Sequence, residues 1–196
     1  MKQLTFEQIK SKLREKIVGI AGAGGLGSNC AVALARVGIG KLILADFDVI
    51  VQSNLNRQYF FHDQIGQSKV EALKNNILRI HPTTNVVIHK IKLTPGNIPE
   101  IFAECDAIVE AFDLADQKKM IIETVLEHLR GIPLISGVGL AGFGDNNTLK
   151  TEQFGNLYIC GDSMHETSDT LPPLAPRVGI VANMQANLVL ELLLRE

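Results

Sequence analysis

A glycine-rich segment near the N-terminus has the spacing of a phosphate-binding turn. Residues Gly22–Gly27 (GAGGLG) fit the G-x-G-x-x-G pattern, after a short apolar run and before a run of small and apolar residues. Residues without a β-carbon let the backbone approach a ligand closely, and the free N–H groups that begin a helix attract phosphate. The segment therefore predicts a nucleotide site. The alternative is that these glycines only allow a helix to pack tightly on a strand.

A carboxylate follows the next apolar run. Asp46 comes directly after Lys41–Ala45 (KLILA), which we predict to be the second strand. At the carboxyl end of that strand, a carboxylate can accept hydrogen bonds from ribose hydroxyls. NAD and ATP share this half-site, so the turn and Asp46 do not separate them.

The polar segment after Asp46 carries two cations. Arg57 lies in the string SNLNRQ, and Lys69 ends the string GQSK. Near the carboxyl ends of strands, an arginine and a lysine could neutralise a triphosphate tail. The two residues favour a reaction that expels pyrophosphate from ATP, and an NAD-dependent oxidoreductase is the alternative.

The elements that must position these residues alternate along the chain. Helical periodicity predicts four helices among and after the predicted strands. One begins at Gly25, and the others cover Gly66–Ile80, 115–130 and 177–194. This alternation predicts one domain over 1–196 with an α/β fold, a doubly wound, mainly parallel, Rossmann-like sheet with helices on both faces. Residues 46–63 are predicted to form a long loop, and short strands to follow Gly137. The predicted strands are Lys16–Ala21, Lys41–Ala45, Asn85–Ile91, Asp106–Glu110 and Pro133–Ser136.

Composition narrows the class of partner. The 196 residues include 21 acidic and 19 basic side chains, so no net field favours nucleic acid or an anionic membrane. The three cysteines are far apart and odd in number, which argues against a disulfide framework. No apolar run reaches the roughly 18 residues of a membrane span. We therefore expect a cytoplasmic protein without nucleic-acid or membrane partners.

Taken in order, GAGGLG, DFD at 46–48, SNLNRQ and GQSK resemble the ubiquitin-activating-type adenylyltransferase family, the group of ThiF, MoeB and HesA. Within it, the chain is most similar to the short ThiF-like proteins of thiamine thiazole synthesis. The resemblance implies an enzyme that uses ATP and Mg²⁺ to adenylylate the C-terminal glycine of a ubiquitin-like, ThiS-like sulfur-carrier protein. It also implies a homodimer. Cations are needed in this chemistry because negative charge accumulates as pyrophosphate leaves.

The resemblance also gives roles to individual residues. It implies that Arg57 and Lys69 act at the phosphates and that Asp113 is associated with magnesium; these three are the implied catalytic residues. The glycines would line the phosphates, and Asp46 would bind the ribose with Asp48 beside it. The side chains of Asn54 and Gln58 would reach the triphosphate. The implied nucleotide-binding residues are Gly22, Gly24, Gly25, Gly27, Asp46, Asp48, Asn54 and Gln58.

The sequence departs from the family pattern at several places. It has no C-x-x-C pair, so we expect no zinc. The loop before the last helix, Thr167–Pro176, lacks the cysteine of sulfur-transferring members. Lys118 stands where the family has an arginine, and Arg14 is a candidate for a residue supplied to a neighbouring subunit. The missing zinc and cysteine leave a non-catalytic, carrier-binding scaffold as a further alternative.

Several residues have two interpretations. Cys160 is a nucleophile or, more simply, a half-buried structural thiol, and His62 is a surface or a catalytic histidine. Asp116 is a ligand or a helix cap. Arg177 meets the carrier's tail or a carboxylate of the fold itself. The apolar last helix is either packed on the sheet or part of a subunit interface.

Overall fold

Seven strands form one sheet in the computed structural model, which describes residues 3–165 and 167–195. The order is β3-β2-β1-β4-β5-β7-β6, and neighbouring strands are parallel except for the antiparallel pair β6 and β7. The predicted α/β class with a mainly parallel sheet is confirmed. The strands are β1 Ile17–Ala21, β2 Lys41–Ala45, β3 Asn85–His89, β4 Ala107–Glu110, β5 Leu134–Val138, β6 Lys150–Phe154 and β7 Leu157–Gly161.

Helices cover both faces of this sheet. On β1, Val18 and Ile20 belong to a core shared with α2, α3 and α6, whereas Ala21 belongs to a second core shared with α4 and α5. Successive strand residues point to opposite faces, so one buried strand supplies both cores. The helices are α1 Phe6–Leu13, α2 Gly25–Arg36, α3 Lys69–Ile80, α4 Ile98–Phe102, α5 Ala115–His128 and α6 Ala175–Leu194.

The register brings three strand ends to the same level. Ala21, the last residue of β1, pairs with Ala45 of β2 on one side and with Glu110 of β4 on the other. The segments that follow these strands therefore leave the sheet side by side. This is the edge at which open α/β sheets bind ligands.

Helix α3 begins later than its periodicity predicts. The expected start at Gly66 is wrong, because Gly66 has a φ of 87° and the segment Gly66–Ser68 pairs with the loop instead. Gly66 N donates to Ile50 O, and Ile50 N donates to Gln67 O. This pairing fixes the position of Lys69, the first residue of the helix.

Two helices escaped the sequence analysis because they are short. Helix α1 has a capping box in which Thr5 and Gln8 bond to each other's backbone, a readable signal at 5–8. Helix α4 covers only five residues, too few for a periodic pattern.

The apolar character of helix α6 is explained by its packing in the core. Within residues 3–165 and 167–195 it alone is long and apolar enough to cross a membrane by length and composition. Val181, Ala182, Ala186 and Val189 are buried in the core that α6 shares with α2, and the core helix of a globular protein passes the same test. Of the two interpretations of this helix, packing on the body of the fold explains the buried residues.

Replacing Gly27 with alanine is expected to destabilise the protein by about 1–3 kcal/mol. A β-carbon at Gly27, in the first turn of α2, would overlap the carbonyl oxygen of Gly22, whereas one at Gly179 in α6 meets nothing within 4 Å. Gly179→Ala is the matched control and should stabilise the helix slightly. Urea unfolding measures both, and equal midpoints for the two variants would contradict the prediction.

Candidate functional site

A crevice of about 860 Å³ lies at the carboxyl ends of the central strands. The N-cap residue of α2 is Gly24, which has no side chain to cap the helix, so the first N–H groups of α2 are left for a ligand. Nine of the eleven implied catalytic and nucleotide-binding residues line this crevice. They are Gly22, Gly24, Gly25, Asp46, Asp48, Arg57, Gln58, Lys69 and Asp113.

The Asp46 carboxylate holds the glycine turn in place. One oxygen accepts a hydrogen bond from Ala23 N at 2.6 Å and the other from Asp48 N at 2.8 Å. Both oxygens keep further acceptor capacity toward the crevice. The arrangement is compatible with the role implied for Asp46 at a ribose, which stays a prediction.

Lys69 is the buried cation of the site. Its ammonium lies 2.7 Å from Asp48 Oδ2, and the lysine is 6% exposed. Asp48 is about half exposed, so its carboxylate is the part of the pair that is accessible from the crevice. A triphosphate entering here would compete with Asp48 for Lys69.

Arg57 and Gln58 line the crevice beside the glycine turn. Arg57 Nη1 donates to Asn56 Oδ1 at 2.8 Å, and Asn29 Nδ2 donates to the Arg57 carbonyl at 2.9 Å, which fixes the backbone. The aliphatic part of the Arg57 side chain lies close to Gly25, at the start of α2. The buried Gln58 Oε1 has no hydrogen-bond partner, which leaves an acceptor for a ligand's donor.

Asp113 lies on the opposite wall, in the turn between β4 and α5, and it is exposed. No group of three or more His, Cys, Asp or Glu side chains that could hold a metal occurs in the described part of the chain. Mg²⁺ is commonly held by one or two carboxylates together with substrate phosphates. The single carboxylate of Asp113 therefore fits an ion that arrives with a nucleotide.

Two members of the implied set lie outside the crevice. Gly27 packs against the Gly22 carbonyl, so its contribution is to helix-on-strand packing. Asn54 accepts a hydrogen bond from Val51 N at 3.1 Å and closes the short 3-10 turn Gln52–Asn56. Their implied contacts with a nucleotide stay predictions, but neither side chain lines this cavity.

Three further residues singled out in the sequence analysis lie outside the crevice. Asp116 lies in the first turn of α5, whose N-cap is Leu114, and Asp116 does not line the crevice. His62 begins a short 3-10 helix away from the cavity. Arg14 lies at the amino end of the sheet, where Gly40 N donates to Leu13 O. It is therefore remote from the crevice of its own chain.

The thiols are unsuited to nucleophilic chemistry. All three are free and buried. Burial raises the pKa of the Cys105 thiol to about 12, and it raises the pKa values of Cys30 and Cys160 as well. The thiolate is the reactive form, so the structural interpretation of Cys160 is favoured.

A buried ion pair at the crevice rim was not readable from the sequence. Arg177, at the start of α6, donates to Gly139 O at 2.8 Å, to Gly144 O at 2.7 Å and to Asp162 Oδ2. Both charged side chains are almost fully buried. Of the two interpretations of Arg177, the carboxylate of the fold is the one observed.

The Asp162 carboxylate is stabilised in its charged form. Burial by itself would raise its pKa, but hydrogen bonds from Thr148, from the backbone of Met164 and from His165 outweigh burial and hold the pKa well below the usual range. Thr148 Oγ1 donates at 2.8 Å and Met164 N at 3.0 Å. The network joins the loop after β5 to the loop after β7.

A second buried carboxylate, Glu110, lies at the end of β4 beneath the crevice. It accepts hydrogen bonds from Lys118 and from Ser136. A polar residue ending an otherwise apolar strand was the available signal.

Fold and crevice together define a Rossmann-like α/β protein with a ligand site at the carboxyl ends of its strands. The chain matches the ThiF family over residues 1–196 and belongs to that family. It is 31% identical over 202 residues to a probable molybdopterin-synthase adenylyltransferase from Porphyra purpurea, covering 98% of this chain and 53% of the relative. It is 34% identical over 181 residues to the adenylyltransferase and sulfurtransferase UBA4 from Eremothecium gossypii, covering 91% and 38%.

The family resemblance is thereby confirmed, although the chain spans about half or less of the length of these two relatives. Among solved structures, the tRNA N6-threonylcarbamoyladenosine dehydratase TcdA from E. coli, in complex with ATP, superimposes with a TM-score of 0.86 at 21% identity. The match covers 95% of this chain and 89% of that one. At this identity the likeness establishes the fold.

Proposed function

We propose that this chain transfers AMP from ATP to the C-terminal glycine carboxylate of a ubiquitin-like sulfur-carrier protein and releases pyrophosphate. The observation that carries the proposal is that Arg57, Lys69 and Asp113 line one crevice with the backbone of the glycine turn. The printed names of the relatives, a molybdopterin-synthase adenylyltransferase and an adenylyltransferase and sulfurtransferase, support adenylyl transfer. The TcdA complex with ATP supports the nucleotide.

In this reaction the carrier's carboxylate attacks the α-phosphorus, and the bond between that phosphorus and the bridging oxygen of the β-phosphate breaks. The attacking carboxylate is ionised near neutral pH, so no side chain has to remove a proton. Arg57 and Lys69 bind the tail on which charge accumulates, and Lys69 exchanges Asp48 for a phosphate oxygen. Mg²⁺, held by Asp113 and the nucleotide, would supply further positive charge.

The finer parts of the proposal concern the partner and the setting. We propose a ThiS-like carrier of thiamine thiazole synthesis, on the likeness of the whole motif set to the short ThiF-like proteins. A cytoplasmic setting is supported by three free thiols. A homodimer is supported by the exposed apolar side chains Phe143 and Met164, which are 83% and 76% exposed in the single chain.

The test is exchange of labelled pyrophosphate into ATP in the presence of purified ThiS-like carriers and other ubiquitin-like sulfur carriers. We expect exchange that depends on the carrier and disappears when its terminal glycine is deleted. Mass spectrometry of the carrier should then find an added AMP. Lack of exchange with every carrier, together with tight binding of NADH and none of ATP, would instead support the oxidoreductase alternative.

A further inference from the structure

The Glu110 carboxylate is a completely buried charge beneath the crevice. Its exposure is 0%, and its oxygens accept from Phe112 N at 2.7 Å, from Ser136 Oγ at 2.5 Å and from Lys118 Nζ at 3.0 and 2.9 Å. A buried charge requires such partners, because water no longer solvates it. The carboxylate therefore joins β4, β5 and α5 at one point.

The ammonium of Lys118 is fully engaged by the protein. Besides the two Glu110 oxygens, Nζ donates to Gly137 O at 2.8 Å. An ammonium has three N–H donors, and these three acceptors match them. Lys118 lines the crevice, yet in this state no donor is left for a phosphate.

The same two residues hold the turn that carries Asp113. At its start, Phe112 N donates to Glu110 Oε1 at 2.7 Å, and Lys118 Nζ holds the same carboxylate. At its end, the backbone N–H of Lys118 donates to Leu114 O at 3.0 Å as the first helical bond of α5, which does not depend on the lysine side chain. Asp113 itself is exposed between these two anchors. The start of this turn therefore depends on Glu110, which Lys118 holds in place.

We propose that Glu110 and Lys118 act as a positioning pair, which fixes the turn 112–114 so that Asp113 faces the nucleotide site, and that Lys118 does not contact the phosphates. This rests on the proposed function only for the nucleotide. The placement of the turn is a property of the protein alone. Removing one charge of the pair leaves the other buried without a counter-ion. Removing both charges should therefore disturb the turn less than removing one.

The first experiment uses the protein without nucleotide. Amide hydrogen exchange over 111–115 is compared in the wild type, Lys118→Met, Glu110→Gln and the double variant, with Lys119→Met as the control, since Lys119 is an exposed neighbour on the same helix. We expect exchange about tenfold faster or more in Lys118→Met and substantial recovery of protection in the double variant. Unchanged exchange in both single variants would overturn the proposal, and Glu110→Gln keeps it testable if Lys118→Met does not fold.

The second experiment measures ATP binding by calorimetry with and without Mg²⁺. We expect both Lys118→Met and Asp113→Asn to lose most of the Mg²⁺-dependent gain in affinity, and the Glu110→Gln, Lys118→Met double variant to regain part of it. Equal weakening in Lys118→Met and the double variant, with or without Mg²⁺, would identify a direct phosphate contact and overturn the proposal. A wild type that binds no ATP would contradict the proposed function, while the exchange measurement would still decide the role of the pair.

Discussion

Replacing Arg177 with methionine is expected to lower the free energy of unfolding by about 3–5 kcal/mol, because the change leaves Asp162 as an unpaired buried charge. The guanidinium also satisfies the Gly139 and Gly144 carbonyls, which would lose their donors. Both partners are at most 3% exposed on their side chains, so solvent screens the pair little. Urea unfolding near pH 7 measures the effect as a shift of the midpoint.

Arg195→Met is the control at the C-cap of the same helix, since Arg195 forms an exposed pair with Glu191. It should leave the midpoint almost unchanged. The double variant with Asp162→Asn should recover part of the loss, because it removes the unpaired charge. A loss below about 1 kcal/mol in Arg177→Met would mean that the two loops are held by other contacts.

Acid should weaken this network in the wild type. The pKa of Asp162 is lower in the folded than in the unfolded chain, so below the ordinary carboxyl pKa of about 3.9 the unfolded chain binds more protons. The stabilisation is fully present well above that value and is lost progressively as the pH falls. Asp162→Asn should lack this part of the pH dependence, and an identical acid profile would contradict the assignment.

Arg57→Ala is expected to slow carrier-dependent pyrophosphate exchange by about 10²-fold or more, as loss of one contact to transition-state charge typically does. The backbone of the loop should survive, because Asn29 bonds to the Arg57 carbonyl and not to its side chain. The turnover rate and the KM for ATP are measured separately. A loss concentrated in turnover identifies a contact made in the transition state.

Arg79→Ala is the control for this prediction, because Arg79 is exposed on α3 and does not line the crevice. Arg57→Lys should recover less than full activity, since lysine keeps the charge but loses the planar fork. Near-normal turnover in Arg57→Ala would give Arg57 a structural role, through its bonds to Ser53 O and Asn56.

Much of the architecture could be predicted from local patterns in the sequence. The strand Lys41–Ala45 has the predicted bounds, because a buried parallel strand is apolar over its whole length. The start of α3 could not be read in this way, since Gly66–Ser68 pairs with a loop segment near Ile50. Pairing between distant segments leaves little trace in a short window of sequence.

The residues of the site show the same difference between local patterns and contacts formed on folding. Arg57, Lys69 and Asp113 were singled out from short strings of sequence and line the crevice with the backbone of the glycine turn, while their roles stay predictions. The bonds of Arg177 to Asp162, and of Lys118 to Glu110, join residues brought together by folding. Sequence identified these residue types but could not say which charge would face which.

Two cations of the crevice have counter-ions within the protein. Lys69 lies against Asp48 and Lys118 against Glu110, so these two cations contribute little to the potential outside the molecule. With a formal net charge of −2, the protein offers an incoming polyanion little long-range attraction. The rate of nucleotide association should therefore depend only weakly on ionic strength, and retention should depend on Lys69 exchanging Asp48 for a phosphate oxygen after arrival.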